Sequence, residues 1–291
     1  MVSQFDRRCD DNAVLRLTDQ YNIEARAYAD HWAPIVHPLA CRLLEVLPRR
    51  PVERVLDLGA GAGLLLPVLQ EKFRGALVVG VDRSEKLIEM AHGSAAKASP
   101  EGEGAQVFSE TCCVVGDAAN VCLRADTFDL VVMAFMLYHV PDPNVALKET
   151  MRVLKRRGVL GLTTWAGDME SPVVTIWNEE LEASGAVPAE SLGRVARHEL
   201  MDTPEKVQGL LESAGFDSIR ANIQEFAHEI EPDEFIRLRV TVGSTRQRFE
   251  TLDGKSRQRL IGRVRERFSG LTADDWVLRL PVVLATARAL N

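Results

Sequence analysis

Between Val55 and Gln70 the chain reads VLDLGAGAGLLLPVLQ. An apolar run ending at Leu58 gives way to Gly59, Ala60, Gly61 and Gly63, and then to residues with helical spacing. Glycine lets a ligand approach the main chain closely. A strand-to-helix turn also gathers backbone N–H groups at the helix start, where an anionic or polar group is held. Polar side chains follow at places where chemistry can use them. Asp82 closes the next apolar run, roughly 20 residues beyond the turn, where nucleotide-binding sheets present a carboxylate to a ribose; its two oxygens can accept both hydroxyls of the diol. The bland alternative for Asp82 is a solvated loop acid. Asp117, in Val115-Gly116-Asp117-Ala118, is placed either to receive an adenine amino group or to stabilise its own turn. His139, in Tyr138-His139-Val140-Pro141, is suited to general-base work or to packing and orienting a ligand.

The glycine spacing excludes two familiar cradles. A dinucleotide fingerprint, G-x-G-x-x-G, needs its third glycine at position 64, which is Leu. A P-loop needs Gly-Lys-Ser/Thr, and none follows.

These residues sit between elements that the hydrophobic pattern sets out. Residues 1–50 read as helical, with Tyr28, Trp32, Ile35, Val36, Leu39, Leu43, Leu44 and Leu47 at helical spacing and interruptions at Pro34 and Pro38. Strands are expected at Arg54–Leu58, Ala76–Val81, Val107–Val115, Phe128–Phe135 and Val159–Trp165. Helices are expected at Leu64–Phe73, Glu85–Ala98 and Pro143–Lys155, with a loop over Ser99–Gly104. Alternation of this kind implies a parallel sheet with helices on both faces. Beyond Trp165 the pattern changes. Helical patches fill 166–203, including Val173–Ala183, and a helix starts at Thr203-Pro204-Glu205 and ends at Gly215. Ile219–Ile230 reads as a strand, Glu234–Phe268 as a charge-rich helical run, and Trp276–Ala287 as a closing strand. The charged run Arg246–Arg267 reads as a solvated helix face.

Composition narrows the class. Of 291 residues, 46% are hydrophobic and 26% charged, ordinary for a globular protein with a sizeable core. A net charge of -7 argues against a nucleic-acid partner, and the basic run Lys155-Arg156-Arg157 reads as a cationic helix end. Five cysteines, Cys9, Cys41, Cys112, Cys113 and Cys122, form no CxxC pair and read as reduced thiols of a cytoplasmic protein. No apolar stretch approaches the ~18 residues of a membrane span, and the polar start MVSQFDRRCDD is unlike a signal peptide.

Five segments in order, VLDLGAGAG, GVDRSEKLIEMA, VVGDAA, FDLVVMAFMLYHVPDP and LKETMRVLKRRGVLGLTTW, resemble the successive motifs of class I S-adenosylmethionine-dependent methyltransferases. The likeness is strongest to the small-molecule branch that includes the ubiquinone and menaquinone biosynthesis enzymes. It covers roughly residues 20 to 165 and resumes at Pro204–Ile230 and Pro281–Ala289. The resemblance implies a Rossmann-like, doubly wound, mostly parallel sheet of about seven strands, with an N-terminal helical segment and helical lid insertions. It divides the chain into an N-terminal helical cap (1–50), a cofactor-binding core (51–165), a helical lid (166–203), continued core (204–230), a helical insertion over the acceptor site (231–275) and a closing strand (276–291).

The resemblance also implies roles. Asp57 and the turn Gly59, Ala60, Gly61 and Gly63 would hold the amino-acid end of S-adenosylmethionine. Asp82 would bind the ribose, with Arg83 and Leu87 beside the adenosine, Asp117 and Ala118 at the adenine and Ala134 near the sulfonium. Tyr28 and Tyr21 match a tyrosine that closes over the cofactor in this branch; simple packing against the sheet is their alternative. The expected activity is methyl transfer to a small organic acceptor at O, N or C, leaving S-adenosylhomocysteine, with His139 as candidate catalytic residue and Trp165 and Trp177 as candidate acceptor walls. A non-methylating protein on the same fold is the competing class. A nucleic-acid methyltransferase is disfavoured because AFMLYH stands where an Asn/Asp-Pro-Pro-Tyr/Phe motif would fall. No metal site is expected: Asp142 and Asp168 make no convincing set. An arsenite methyltransferase is disfavoured because Cys112 and Cys113 belong to the third strand, away from the expected methyl. Monomer and homodimer both remain open.

Overall fold

The computed structural model describes residues 4–47, 50–97, 111–167, 171–188 and 198–290. The Ser99–Gly104 loop, residues 107–110 of the third expected strand and Asp168 lie outside the described residues. One sheet of seven strands organises the chain: β1 (Arg54–Leu58), β2 (Leu77–Asp82), β3 (Thr111–Val115), β4 (Phe128–Ala134), β5 (Leu154–Trp165), β6 (Phe216–Glu229) and β7 (Val277–Ala289), in the order β3-β2-β1-β4-β5-β7-β6. The first five are parallel, and β7 runs antiparallel between β5 and β6.

The central strands carry continuous apolar runs because both faces are covered. Val55, Leu56, Val131, Val132 and Met133 are fully enclosed. The helices that follow the strands are α3 (Leu65–Lys72), α4 (Glu85–Lys97) and α5 (Pro143–Val153), started by Asp142, whose side chain accepts from Asn144 N–H. Strand order reverses between β1 and β4, so the loops leaving their carboxyl ends diverge and open a crevice there. The parallel register puts Leu58, Val81 and Asp82, Val115, and Ala134 at that one edge.

Several boundaries differ from those expected, each for a local reason. At the N-terminus, helix Gln4–Ala27 and helix Ala33–Val46 are joined without a break by a π-helical segment, Tyr28–Trp32. Pro34 has no N–H to return to the preceding turn, and the wider turn absorbs the mismatch: Ala33 N–H donates to Tyr28 O, five residues back. Pro38 is carried inside the second of these helices. β5 begins at Leu154, so the basic run Lys155-Arg156-Arg157 lies in the strand and not at a helix end; Lys155 there pairs with Asp129 at 2.9 Å. β6 starts at Phe216, directly after a helix over Pro204–Ser213.

The run expected as one helix over 234–268 is three: Pro232–Thr241, Gly243–Glu250 and Gly254–Phe268. Val242 is extended and Gly243 has φ +73°, which breaks the first junction. Asp253 caps the third helix through Lys255 and Ser256 N–H. With Pro172–Ala183, these become α6 (Pro172–Ala183), α7 (Pro204–Ser213), α8 (Pro232–Thr241), α9 (Gly243–Glu250) and α10 (Gly254–Phe268), after α1 (Gln4–Ala27) and α2 (Ala33–Val46) at the start. The charged face of α9 and α10 is less solvated than its composition suggests. Arg263 and Arg267 pair with the nearly buried Glu180 of α6, and Arg246 pairs with the buried Glu24 of α1. Trp276 ends a short 3₁₀ turn, and the closing strand starts one residue later. Among the described residues no helix is long and apolar enough to cross a membrane.

Candidate functional site

The turn after β1 is held from below. Gly59 and Ala60 N–H both donate to Val81 O, at 2.7 and 3.0 Å. Gly59, Gly61 and Gly63 all have positive φ, +87°, +55° and +78°. The three glycines nevertheless do different things. A Cβ on Gly59 would lie 2.5 Å from Met136 Cβ, and one on Gly63 would lie 2.9 Å from the backbone of Ala91 in α4. Those two are required by packing. A Cβ on Gly61 meets only the Tyr28 ring, at 4.0 Å, so Gly61 is where the main chain faces open space.

Asp82 fixes that geometry. One carboxylate oxygen accepts Gly61 N–H at 2.9 Å and the other accepts Ser84 N–H at 2.8 Å. Burial raises its pKa despite these bonds. Asp57, one residue before the end of β1, is enclosed, and among the described residues neither carboxylate oxygen has a hydrogen-bond partner. Desolvation, with Asp82 nearby, pushes it up to about 7. Two buried oxygens without donors are costly to a protein unless a ligand supplies the donors.

A cleft of about 100 Å³ opens above this turn. Gly59, Gly61, Asp82, Arg83, Leu87, Ala118 and Ala134 line it, as do Tyr21, Tyr28 and His139. Asp57 and Ala60 line a smaller hollow that adjoins the same turn. Asp117 is not itself in the wall. Its Oδ1 accepts both the Arg83 guanidinium at 2.5 Å and Ala119 N–H at 2.8 Å, and Gly116 and Ala118 face the cleft.

Helix α1 closes the cleft from outside. Asn22 Oδ1 accepts the Ser84 hydroxyl at 2.7 Å, which ties α1 to the start of α4. This places Tyr21 and Tyr28 edge to face, 5.8 Å apart, over the turn. The Tyr21 hydroxyl is 2.9 Å from His139 Nε2. Burial holds both phenols above their ordinary pKa, with Asp82 adding to the effect, so they stay protonated. His139 is delivered by a 3₁₀ turn, Leu137–His139, and Phe135 just before it has φ +54°, a conformation disfavoured for a side chain of that size.

A second cavity, about 220 Å³, continues from the first. The two share Tyr21, Tyr28, Phe135 and His139. Trp165 lines it, stacked at 4.5 Å on Phe135 and donating its N–H to the Tyr138 hydroxyl at 3.1 Å. Trp177 does not. It is fully enclosed against Phe235 and Phe249, because the apolar face of α6 turns toward α8 and α9 instead of toward the sheet edge. That corrects the expectation for Trp177. Sequence reasoning also passed over Asn22, Glu24, Phe135, His198 and Arg239. Only the position of Phe135, directly after β4, carried a local signal.

Residues 56–162 match the family described as "Methyltransferase domain". The chain is similar to the ubiquinone biosynthesis O-methyltransferase of Coxiella burnetii, 30% identical over 159 residues, covering 52% of this chain and 63% of that protein. It is similar as well to the demethylmenaquinone methyltransferase of Thermotoga maritima, 33% identical over 119 residues, covering 41% of this chain and 46% of that one. The chain thus spans less than two thirds of the length of the curated relatives it matches. Among solved structures, the YcgJ protein from Bacillus subtilis shares the fold, with a TM-score of 0.54 at 18% identity over 88% of this chain and 99% of that one.

Proposed function

We propose that this chain, in which residues 56–162 match the methyltransferase-domain family, moves a methyl group from S-adenosylmethionine to a small organic acceptor held in the second cavity. The observation that carries this reading is the pairing of two joined cavities. The first is bounded by a bare Gly61 and the Asp82 carboxylate; the second has aromatic walls. The names of the relatives, O-methyltransferase and demethylmenaquinone methyltransferase, point to the same reaction class.

The residues present suit the cofactor. Asp57 has unmet acceptor capacity beside a turn whose main chain is open, which fits a ligand carrying an ammonium and a carboxylate together. Asp82 stands ready for a ribose, with Arg83 and Leu87 against the nucleoside and Ala118 at the base. Bound there, S-adenosylmethionine supplies a methyl group on a cationic sulfur. Tyr21 and Tyr28 cover the cleft and exclude water from it. Phe135 and His139, just after β4, stand where the two cavities meet, and Ala134 lies on the cleft side of that junction. Tyr21 is a protonated phenol bonded to His139 Nε2, so an acceptor hydroxyl bonded to the Tyr21 oxygen can pass its proton through Tyr21 to the imidazole. His139 is thus the candidate base. Residues of α8 and α9, together with His198, roof the second cavity, and α10 supports them through α6.

The test is incubation of the full chain with methyl-labelled S-adenosylmethionine and a metabolite extract. Label appearing in a small molecule, with equimolar S-adenosylhomocysteine, is the expected result; His139→Ala should abolish it while leaving S-adenosylhomocysteine binding nearly unchanged. Cofactor binding without label transfer to any extract would contradict the reading.

A further inference from the structure

Among the described residues, Tyr28 and Phe135 line three cavities at once: the cleft, the second cavity and the smaller hollow that adjoins the glycine turn. A sulfonium carries three substituents, which are here a nucleoside, an amino-acid chain and the methyl group to be moved. With the nucleoside in the cleft and the acceptor in the second cavity, the hollow, about 60 Å³, remains for the amino-acid chain.

The hollow pairs an acceptor with a donor. Asp57 lines it with two buried oxygens that no described group satisfies. His37 of α2 lines it as well, while Val36, Ala40 and Leu65 give it apolar walls. The turn gives its own N–H groups to the protein: Gly59 and Ala60 to Val81 O, Gly61 to Asp82 and Gly63 to Ala60 O. A carboxylate entering the hollow therefore draws on a side-chain donor.

The surroundings of His37 suit it to that task. Its ring nitrogens Nε2 and Nδ1 lie 3.6 and 4.0 Å from Cys41 Sγ, one turn along α2. A single thiol bonds one of the two nitrogens. Burial pushes the Cys41 thiol up, so it stays protonated and donates. The ring proton then sits on the other nitrogen as an N–H donor. Burial also lowers the His37 pKa, so the ring meets a carboxylate as a neutral donor.

We infer that His37 is a cofactor-binding residue whose ring N–H holds the carboxylate of the amino-acid end of S-adenosylmethionine, while Asp57 accepts from the ammonium. This rests on the proposed reading of the cleft as the nucleoside site. Helix α2 thereby joins the site, and the π-helical segment before it carries Tyr28 to the same hollow.

The test is calorimetry on the full chain with three ligands: S-adenosylhomocysteine, its decarboxylated analogue, and methylthioadenosine, which lacks the whole amino-acid end. His37→Leu should weaken S-adenosylhomocysteine about ten- to a hundredfold, the range of a hydrogen bond to a charged group. It should leave the other two ligands unchanged. His37→Gln keeps an N–H donor and should restore part of the affinity. In an NMR titration of the unmodified protein, the His37 ring signals, assigned with the His37→Gln protein, should move with S-adenosylhomocysteine and not with the decarboxylated analogue. That measurement stands even where His37→Leu folds poorly. Equal losses for all three ligands, unchanged S-adenosylhomocysteine affinity in His37→Leu, or ring signals that ignore the carboxylate overturn the inference. Failure of every one of these ligands to bind the unmodified protein overturns the reading beneath it.

Discussion

The two cavities meet at four residues and are built in opposite ways. The floor of the first is backbone. Gly59 and Ala60 hang from Val81 O, Gly61 from Asp82, and the parallel register of β1 and β2 sets all of these contacts at once. The second is made of side chains that the chain collects from far apart: Glu24 and Trp32 near the start, Phe135 and His139 mid-chain, Trp165, His198, and Arg239 with Gly243 near the end. A backbone-built site changes little when neighbouring side chains change. A side-chain site of this kind can be rebuilt without disturbing the sheet.

Three substitutions probe that contrast. Asp82→Ala removes the acceptor of both the Gly61 and Ser84 N–H groups, as well as the proposed ribose partner. Two hydrogen bonds to a charged group correspond to about 3 kcal/mol or more. Affinity for S-adenosylhomocysteine by calorimetry should therefore fall roughly a hundredfold. An unchanged affinity would remove the backbone site from the account of binding.

Asp57→Asn should act through pH. In the unfolded chain this carboxyl ionises near its ordinary value of about 4; in the fold it is pushed up to about 7. The stability that follows from the raised value is therefore fully present below about pH 4. It is lost as pH rises through 7. The variant cannot ionise and does not share the loss. Melting of the cofactor-free protein should show it gaining on the parent from pH 5 to pH 8, by on the order of 2–3 kcal/mol. Parallel pH curves for the two would mean that Asp57 ionises freely in the fold.

The smallest effect is expected at the second cavity's support. Glu24→Gln keeps the shape and an oxygen for Gly243 N–H but removes the charge that holds Arg246, which still has Glu250 at 2.9 Å. The expected loss is about 1–2 kcal/mol. It should be confined to faster hydrogen exchange over residues 243–250, with S-adenosylhomocysteine affinity preserved. Global destabilisation instead would show that α1 and α9 are part of the core cooperative unit.

The same contrast explains what could be read in advance. The glycine turn, the place of Asp82 and the succession of strands and helices were legible because each depends on residues within a short stretch, a strand period or a βα spacing. Gly63 was legible as a position but not as a role: only the close approach of Ala91 shows that it serves helix packing. Asp117 was ambiguous because Arg83, 34 residues away, decides what its carboxylate does. Trp177 was misplaced because helical periodicity marks an apolar face without saying which neighbour it meets. Arg239, Glu24 and His198 carried no local signal at all, since their relation to the cavity arises from how α8 and α9 fold back on α1. The break of the long charged run into α8, α9 and α10 was hidden for a like reason: helical spacing continues on both sides of Val242 and Gly243.

The central claim is that a nucleoside lies against the main chain after Leu58. Hydrogen exchange of the full chain with and without S-adenosylhomocysteine tests this most directly. Slowed exchange concentrated at residues 59–63 and 82–88, with weaker slowing across Tyr21–Tyr28 as the cleft closes, is the expected result. No change at the glycine turn, or protection confined to another face of the sheet, would contradict it.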